Sequence, residues 1–556
     1  MLEARENAEL FRELKLCPYL AKYYQKNIDL FCFFSCISVD LLANNGIHSY
    51  IVPIYWKDRT GADKMRRKFF QEGRLELLVD FDGFPVFVDA PGHHSSIYVF
   101  TKSAEKASPQ GYLEVEVDST LNRESQEKTI VHQLKTRNAQ PVFFRLSGGK
   151  LVTNLLGQED LIEVFESLPH FHLEETKVVR GVDTSPSDYQ GKGVFVLSDT
   201  EFNSISHMLD LREREFFKPF YSASQVDAYY FEPQSNQWLL YTDRNRRQKL
   251  ENCPADYPHL ISHLKQFAKI ITSDNKPYGL HRAKEEENFL NESKILFVRK
   301  TAYPKFAYCE LPFFCDESIY IILPNKDTSQ FYLLTILNSP IFSWWCSHHK
   351  TQGSQLQIDK EIVLGMPIRR ISFNTPQKER AHLLEEAKGL YKEYLENQDW
   401  SKVITFVIGR LPHKADDTPD MEHEQSDVVH DLLAFLAEEM TRLHKEEQSK
   451  IKGFLAWLEK EILKGSVQDQ KNKTRMKDFC NNTFEDLLDT LKKNKVVSDP
   501  YPSDKRNILE NEFNGALTVI NPLRNKIKFT DELIDRMVYK LYGLTDEEIA
   551  VVEGRS

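Results

Sequence analysis

Side chains suited to nucleic-acid recognition are concentrated in the middle of this sequence. Arg, Lys, Asn and Gln read base edges in the major groove, whereas nearly any basic or polar side chain can hold a phosphate. The run Arg244-Asn245-Arg246-Arg247-Gln248-Lys249 combines all four residue types. A charge run is more often a solvated turn than a DNA contact, and both interpretations stay open. The candidate DNA contacts are Lys218, Arg244, Arg246, Arg247, Lys249, Arg282, Lys284, Arg299, Lys300, Lys350 and Gln352.

Histidine, cysteine and acidic residues form no pattern that predicts metal chemistry. The pairs His93-His94 and His348-His349 would point to opposite faces of a strand, so one ion rarely takes both. The 8 cysteines include no Cys-x-x-Cys pair, and we expect reduced, mostly buried thiols. No convincing Asp and Glu-x-Lys constellation for two-metal phosphodiester cleavage is present. We therefore predict no metal site.

Composition is that of a globular protein with several domains. A chain of 556 residues exceeds what a single core normally supports. No apolar run is long enough to cross a bilayer, and the charged start gives no signal-peptide pattern, so we expect no membrane partner and a cytoplasmic location. The net charge of −11 argues against nucleic acid as a partner. Charge is nearly balanced between residues 176 and 370, however, which weakens that objection.

The first hundred residues alternate in the manner of an α/β domain. The periodicity predicts helices over Asp29–Ala43 and Ala62–Gln71, separated by a strand over Ile47–Val52. Strands over Leu75–Asp80 and Ser95–Phe100 follow without a helix between them, which indicates a hairpin.

Later segments differ in pattern. Residues 106–175 are a connecting region with a polar loop at Asn122–Lys128, and residues 176–372 alternate short aromatic and β-branched strands with turn residues, as in a separate α+β domain. Thr375-Pro376 is a plausible helix entry. We expect a helical domain over 375–465 and, after a polar linker at Gly465–Arg475, a helical segment over 470–556.

The C-terminal run from Thr530 to Thr545 carries the first resemblance to a known family. Leu533, Ile534, Met537, Val538 and Leu541 repeat at helical spacing, Gly543 is placed as a C-cap, and Thr545 with Glu548 forms a capping box. The string resembles the closing helical segment of large adenine DNA methyltransferases of the fused restriction-modification kind.

The α/β region strengthens this resemblance. Asp29-Leu30-Phe31-Cys32-Phe33-Phe34, and then Leu41 to Pro53, is similar to the stretch after the catalytic loop in TaqI-like adenine methyltransferases. The resemblance implies the rear half of a class I methyltransferase Rossmann-like sheet, with its seventh strand antiparallel at the sheet edge. It also places Phe34 against the adenine ring of S-adenosylmethionine. The alternative is that Phe31, Phe33 and Phe34 are a buried helical stripe.

The segment Val79 to Ala90 resembles the family's base-stacking loop. An enzyme that modifies the amino group of a base extrudes the nucleotide from the duplex and needs an aromatic face to hold it, a process called base flipping. Phe87 matches the family position for that residue, with Phe84 as competitor. The alternative is a hydrophobic plug between loop and sheet.

Short motifs in the middle resemble, in their order, the TaqI-like C-terminal specificity domain, which implies double-stranded DNA as a partner. They are Val178 to Val182, Phe216 to Phe220, Lys294 to Phe297, Leu337 to Pro340 with Trp344-Trp345, and Leu364 to Ile368.

Two family motifs are missing from this sequence. These are the Pro-Pro loop that binds the target amine and the glycine-rich turn that holds the cofactor; Leu16-Cys17-Pro18-Tyr19 and Asp499-Pro500-Tyr501 lack the second proline. With residues 1–105 as the rear of the catalytic domain, the resemblance implies the C-terminal portion of a type IIG-like adenine methyltransferase. We expect it to supply mainly DNA recognition and to need an N-terminal methyltransferase fragment or subunit. The alternatives are a non-catalytic DNA-specificity subunit and part of a restriction endonuclease.

Overall fold

The protein folds into mixed helix and sheet. The structure, a computed structural model, describes residues 7–57, 59–81, 84–87, 94–103, 110–115, 122–147, 150–155, 159–271, 278–280, 282–324, 328–348, 356–414 and 419–554. No helix in these ranges is long and apolar enough to cross a membrane.

The N-terminal part is a six-stranded sheet with helices packed on it. The predicted helices and strands are confirmed, as Leu30–Leu41, Ile47–Pro53, Asp63–Glu72, Arg74–Asp80 and Ser95–Thr101. The core is aromatic: the rings of Trp56, Phe69 and Tyr98 contact one another with centroids 5.1–6.0 Å apart. The strands lie in the order Ile47–Pro53, Ser95–Thr101, Arg74–Asp80, Gln110–Glu114, Gln140–Ser147 and Lys150–Leu155, and the further helices are Ala8–Leu16, Pro18–Ala21, Arg123–Thr136 and Glu159–Ser167.

The predicted edge position of the antiparallel strand is wrong. Ser95–Thr101 lies between Ile47–Pro53 and Arg74–Asp80 and is antiparallel to both. The sheet then continues, because Gln110–Glu114 pairs in parallel with the other side of Arg74–Asp80. The sheet therefore extends past the domain boundary predicted at residue 105.

The polar loop predicted at Asn122–Lys128 is also wrong. The side chain of Asn122 accepts a hydrogen bond from the Ser125 amide and begins a helix, Arg123–Thr136. Ile130 is the buried residue of this helix. Because this helix buries so little, its sequence is polar and lacks the apolar periodicity by which a helix is distinguished from a loop.

The middle of the chain is α+β, as predicted. One sheet has the strand order Val196–Ser198, Gln237–Leu240, Phe217–Tyr221, Phe314–Cys315, and the other has the order Phe306–Cys309, Lys294–Val298, Ile319–Ile322, Val178–Arg180. The remaining short strands are His170–Phe171, Asp188–Tyr189, Lys192–Gly193, Val226–Asp227, Tyr230–Phe231, Lys300–Thr301, Leu356–Gln357 and Ile368–Arg369. The helices here are Asp199–Ser206, Leu211–Arg214, Arg244–Asn252, Pro258–Gln266, Glu287–Leu290, Gln330–Asn338, Pro340–His348 and Lys360–Gly365.

Two long helices dominate the C-terminal region. The first half of Ser426–Leu458 and the last part of Ser503–Leu541 share one core with the second sheet of the middle. The opposite halves of the same two helices form a smaller core with Phe484–Lys493. The expected division into 375–465 and 470–556 therefore cuts across both cores. The other helices are Gln377–Asn397, Ser401–Ile408, Lys473–Lys477 and Asp546–Val552.

The stripe predicted near the C-terminus is confirmed. Leu533, Ile534, Met537, Val538 and Leu541 are all buried. The helix ends at Leu541, and Gly543 follows with a φ of 67°, a conformation that glycine adopts without strain. The side-chain oxygen of Thr545 accepts from the Glu548 amide at 3.2 Å, which completes the predicted capping box.

The strand Ile47–Pro53 leads to a prediction about hydrogen exchange. In the described part of the chain it pairs along one edge only, with Ser95–Thr101. At one end the Lys102 amide donates to the Gly46 carbonyl, and at the other the Ile54 amide donates to the His94 carbonyl. These two hydrogen bonds fix which alternate amides of the strand face its partner. We expect the amides of His48, Tyr50 and Val52 to exchange slowly in a monomer and those of Ser49 and Ile51 to exchange fast, as measured by NMR. Equal protection of both sets would show that the second edge is covered.

Candidate functional site

Phe34 is separated from the other aromatic residues of its helix by exposure. Phe31 and Phe33 are buried in the core of the N-terminal unit, whereas Phe34 is 56% exposed. The alternative of a buried stripe therefore holds for the first two rings and not for Phe34. An exposed phenyl ring on this helix is available to a flat ligand, and its predicted role beside the cofactor stays a prediction.

Phe84 and Phe87, the two candidates for base stacking, lie in different environments. Phe84 is buried in a small core with Val79 and Ile130, and the Arg123 guanidinium lies 5.2 Å from its ring centre. Phe87 is 50% exposed. The Arg123 side chain also donates to the Pro85 carbonyl at 3.1 Å, which fixes the chain between the two rings. Phe84 is thus the hydrophobic plug, and Phe87 is the exposed ring of the two.

The near-miss motif that ends in Tyr19 is a structural contact. Pro18 begins a helical turn, and the Tyr19 hydroxyl donates to the Asp40 carboxylate at 2.6 Å. Lys68 donates to the other oxygen at 2.6 Å, and Tyr23 donates as well. Burial would raise the pKa of Asp40, but these hydrogen bonds outweigh it and lower that pKa. The hydrogen bond to Asp40 also raises the pKa of Tyr19 to about 12. This cluster fixes the first helices to the sheet unit.

Glu286 forms ion pairs with two of the residues that were predicted to contact DNA. Its carboxylate accepts from Arg246 at 2.7 and 3.0 Å and forms an ion pair with Lys218 at 2.7 Å. Asp243 pairs with the same guanidinium at 3.1 Å. Burial would raise the pKa of Glu286, but the hydrogen bonds from Arg246 and Lys218 lower it below its usual value. Lys218 and Arg246 therefore hold protein carboxylates instead of facing solvent.

Two more predicted contacts are also paired within the protein. Arg247 lies 3.3 Å from the Glu251 carboxylate on the same helix. Arg299 donates to Asp359 at 2.6 Å and is half-buried. Charges paired in this way attract a phosphate less than free ones do.

The helix Arg244–Asn252 presents a polar face to solvent. Arg244, Asn245, Gln248 and Lys249 are all exposed, and their spacing of one and four residues places them on one side of the helix. Arg244 and Lys249 have no carboxylate partner in the described part of the chain. The face therefore combines two free cations with two amides, which is the set of groups that read and hold DNA.

Two other predicted contacts lie on the segment that packs beside this helix. Arg282 and Lys284 are exposed, and Glu286 follows them in the chain. The Tyr241 hydroxyl donates to the Lys284 carbonyl at 2.6 Å, which ties the segment to the strand end before the helix. The structure thus brings Arg244, Lys249, Arg282 and Lys284 to neighbouring elements, here called the basic face.

The last predicted contacts are apart from the basic face or undescribed. Lys300 is exposed, and its main chain pairs with Gln357. Lys350 and Gln352 lie outside the described residues. Asn245 and Gln248, which are not among the predicted contacts, lie on the same face, and their i, i+4 spacing to Lys249 and Arg244 is the sequence signal that identifies them.

One of the two features expected to hold S-adenosylmethionine is present in this sequence. Phe34 offers an exposed surface for an adenine ring, but the sequence has no glycine-rich turn for the rest of the molecule. No group of His, Cys, Asp and Glu in the described ranges could hold a metal ion.

Family comparisons match the two segments that the sequence analysis selected. The Eco57I restriction-modification methylase family matches residues 7–87, and the TaqI-like C-terminal specificity domain matches residues 257–368. A domain of unknown function, DUF8810, matches residues 426–538. The predicted resemblance is confirmed: residues 7–87 are similar to a restriction-modification methylase and residues 257–368 to a TaqI-like C-terminal specificity domain. No curated protein matches it.

Solved structures of restriction-modification enzymes are also similar. The type IIL enzyme MmeI in complex with DNA is 12% identical with a TM-score of 0.39, and the match covers 73% of this chain and 49% of MmeI. The type IIG endonuclease BpuSI is 12% identical with a TM-score of 0.27, covering 69% and 46%. A putative class I S-adenosylmethionine-dependent methyltransferase from Listeria monocytogenes is 14% identical with a TM-score of 0.18, covering 24% and 39%. The chain spans about half or less of each.

Phe84 and Phe87 differ in exposure, so substitution by alanine should change the free energy of unfolding by different amounts at the two positions. Phe84→Ala removes a core ring and should cost about 3–5 kcal/mol of the free energy of unfolding. Phe87→Ala should change it by less than about 0.5 kcal/mol, because the ring is half exposed. Urea denaturation of the two variants measures the difference. A large loss of stability in Phe87→Ala would show that this ring is core and not a free stacking surface.

The basic face predicts which basic residues should affect DNA binding directly and which should affect stability instead. Arg244→Ala with Lys249→Ala should lower the dependence of log K on log salt concentration by about 2, close to one per lost phosphate contact, without changing the melting temperature. Arg246→Ala is the matched control. It removes the guanidinium that Glu286 and Asp243 share and leaves Glu286 with Lys218 alone, so it should lower stability by about 1–3 kcal/mol. Fluorescence anisotropy on duplex DNA and thermal unfolding separate the two. An unchanged salt slope in the double variant would contradict the phosphate role.

Proposed function

We propose that this chain is the recognition-bearing portion of a site-specific adenine DNA methyltransferase of a restriction-modification or phage-defence system. The complete enzyme would transfer the methyl group of S-adenosylmethionine to the amino group of a flipped adenine. The observation that carries the proposal is the order of the two family matches, methylase at 7–87 and specificity domain at 257–368.

The basic face supports DNA as the partner. It lies partly within the specificity-domain match, through Arg282 and Lys284, and partly on the helix just before it. Free cations on exposed helix positions bind phosphates, and neighbouring amides such as Asn245 and Gln248 form paired hydrogen bonds to adenine. The arrangement supports recognition of duplex DNA through its major groove.

The methylase segment supports a share in catalysis that is not sufficient alone. Phe87 is exposed and can stack on an extruded base, while the Pro-Pro loop and the glycine-rich turn are absent from the sequence. Within the described ranges, the edge of Ile47–Pro53 opposite Ser95–Thr101 pairs with no strand, and such an edge can receive one from another chain. We propose that an N-terminal methyltransferase fragment or subunit supplies that strand and the missing loops.

A non-catalytic DNA-specificity subunit is the second candidate. The TaqI-like match and the missing amine-binding loop favour it, because together they leave recognition without chemistry. The two candidates differ in whether Phe87 takes part in a reaction.

Calorimetry and reconstitution test the proposal. The purified chain should bind duplex DNA but should show no heat of binding with S-adenosylmethionine and no methylation. With an N-terminal fragment that carries the Pro-Pro loop, methylation of adenine should appear, and Phe87→Ala should weaken it by about 1–3 kcal/mol of lost base stacking. Micromolar cofactor binding by the chain alone would overturn the incomplete-domain part. Reconstituted methylation that is insensitive to Phe87→Ala would favour the specificity-subunit alternative.

A further inference from the structure

A cavity of about 800 Å³ lies between the strand pair His170–Phe171 and Ile368–Arg369, the start of the helix Gln330–Asn338, and the helix Ser426–Leu458. Its wall includes the rings of Phe171, Tyr332, Phe373 and His430. His430 forms the centre of this aromatic wall, with its ring 4.8 Å from Tyr332 and 5.1 Å from Phe373. Phe373 is 51% exposed, so one ring of the set is free to contact a ligand.

The same cavity has an arginine without a counter-ion. Arg370 is exposed, its guanidinium lies 5.7 Å from the centre of the Phe171 ring, and it has no ion-pair or side-chain hydrogen-bond partner in the described part of the chain. Its neighbour Arg369 differs, because it is buried and pairs with Glu424 at 2.8 Å. The structure therefore neutralises one guanidinium and leaves the next one available.

Other groups of the wall favour an anion beside the rings. Ser329 caps the helix Gln330–Asn338, whose first amides have no partner within the helix and carry its positive dipole end. The His172 ring contacts the Met366 carbonyl through Nδ1 at 3.2 Å, which leaves Nε2 for another partner. Glu174 is the carboxylate among the described wall residues. The Arg370 guanidinium and the positive end of the helix Gln330–Asn338 thus stand against one carboxylate among the described wall residues.

We propose that this cavity binds a free nucleotide. The base would lie against the exposed Phe373 ring, because aromatic faces stack on any base. The phosphate would lie on Arg370 and the helix start at Ser329, because guanidinium groups and helix N-termini are both phosphate ligands. The volume is within the range of pockets that enclose small ligands of this size. This site does not depend on the proposed methyltransferase function.

Equilibrium dialysis of the full chain with nucleoside monophosphates, the matching nucleosides and inorganic phosphate tests the site. Saturable binding of a monophosphate, weaker binding of its nucleoside and weaker binding still of phosphate are expected. Phe373→Leu should weaken nucleotide and nucleoside alike by about tenfold, in the range of one lost stack. Arg370→Gln should weaken the nucleotide by about tenfold and leave the nucleoside unchanged.

Arg536→Gln is the matched control. Its guanidinium also stacks on an aromatic ring, 4.1 Å from the centre of Trp400, but in a different cavity. It should bind nucleotides as the unaltered chain does. Absence of saturable binding would overturn the site, as would equal binding by Arg370→Gln and the unaltered chain. Binding of DNA oligonucleotides but no free nucleotide would overturn it as well. Circular dichroism of each variant confirms that it is folded.

Discussion

The packing of two long helices against each other is the constraint on which both the large core beneath the second sheet and the smaller C-terminal core depend. Ser426–Leu458 and Ser503–Leu541 run antiparallel, and each gives one half to the large core and the other to the small one. A hydrogen-bonded ion pair of Arg524 with Glu447, at 2.7 Å, joins them between the two cores. Because the strand Lys294–Val298 packs into the same large core, the sheet that supports the specificity domain cannot shift without disturbing these helices.

Local patterns in the sequence predicted the elements that local physics decides. The strand Ile47–Pro53 and the capped end at Gly543 depend on periodicity and on the conformational freedom of a single glycine, and both were confirmed. The position of Ser95–Thr101 depends on which strands it pairs with across tens of residues, and no local pattern encodes that. The shared cores of the two long helices could not be predicted for the same reason, because they join residues that are far apart in the sequence.

The candidate site shows the same limit at the level of side chains. Arg244 and Arg246 are two residues apart and identical in type, yet one faces solvent and the other is held by Glu286, 40 residues further along the chain. Likewise Phe84 and Phe87 occur in one short motif, and burial alone distinguishes the plug from the exposed ring. Sequence composition indicated the segments that carry these candidate side chains. Tertiary contacts determine which of the side chains are exposed and which are buried or paired.

Internal ion pairs also bear on how an acidic chain could present the DNA-binding surface that we propose. With a net charge of −11, the protein as a whole repels a polyanion, so attraction must come from cations that are not already neutralised. Lys218, Arg246 and Arg299 are neutralised at 2.6–2.7 Å by carboxylates. Lys218 and Arg246 hold Glu286 beside the helix Arg244–Asn252, whereas Arg299 holds Asp359 at the start of the helix Lys360–Gly365. The exposed side chains of Arg244, Lys249, Arg282 and Lys284 are carried on elements that the pair of Arg246 with Glu286 holds together. A phosphate backbone would meet this local field within a few ångströms, where the distant acidic residues are screened by salt.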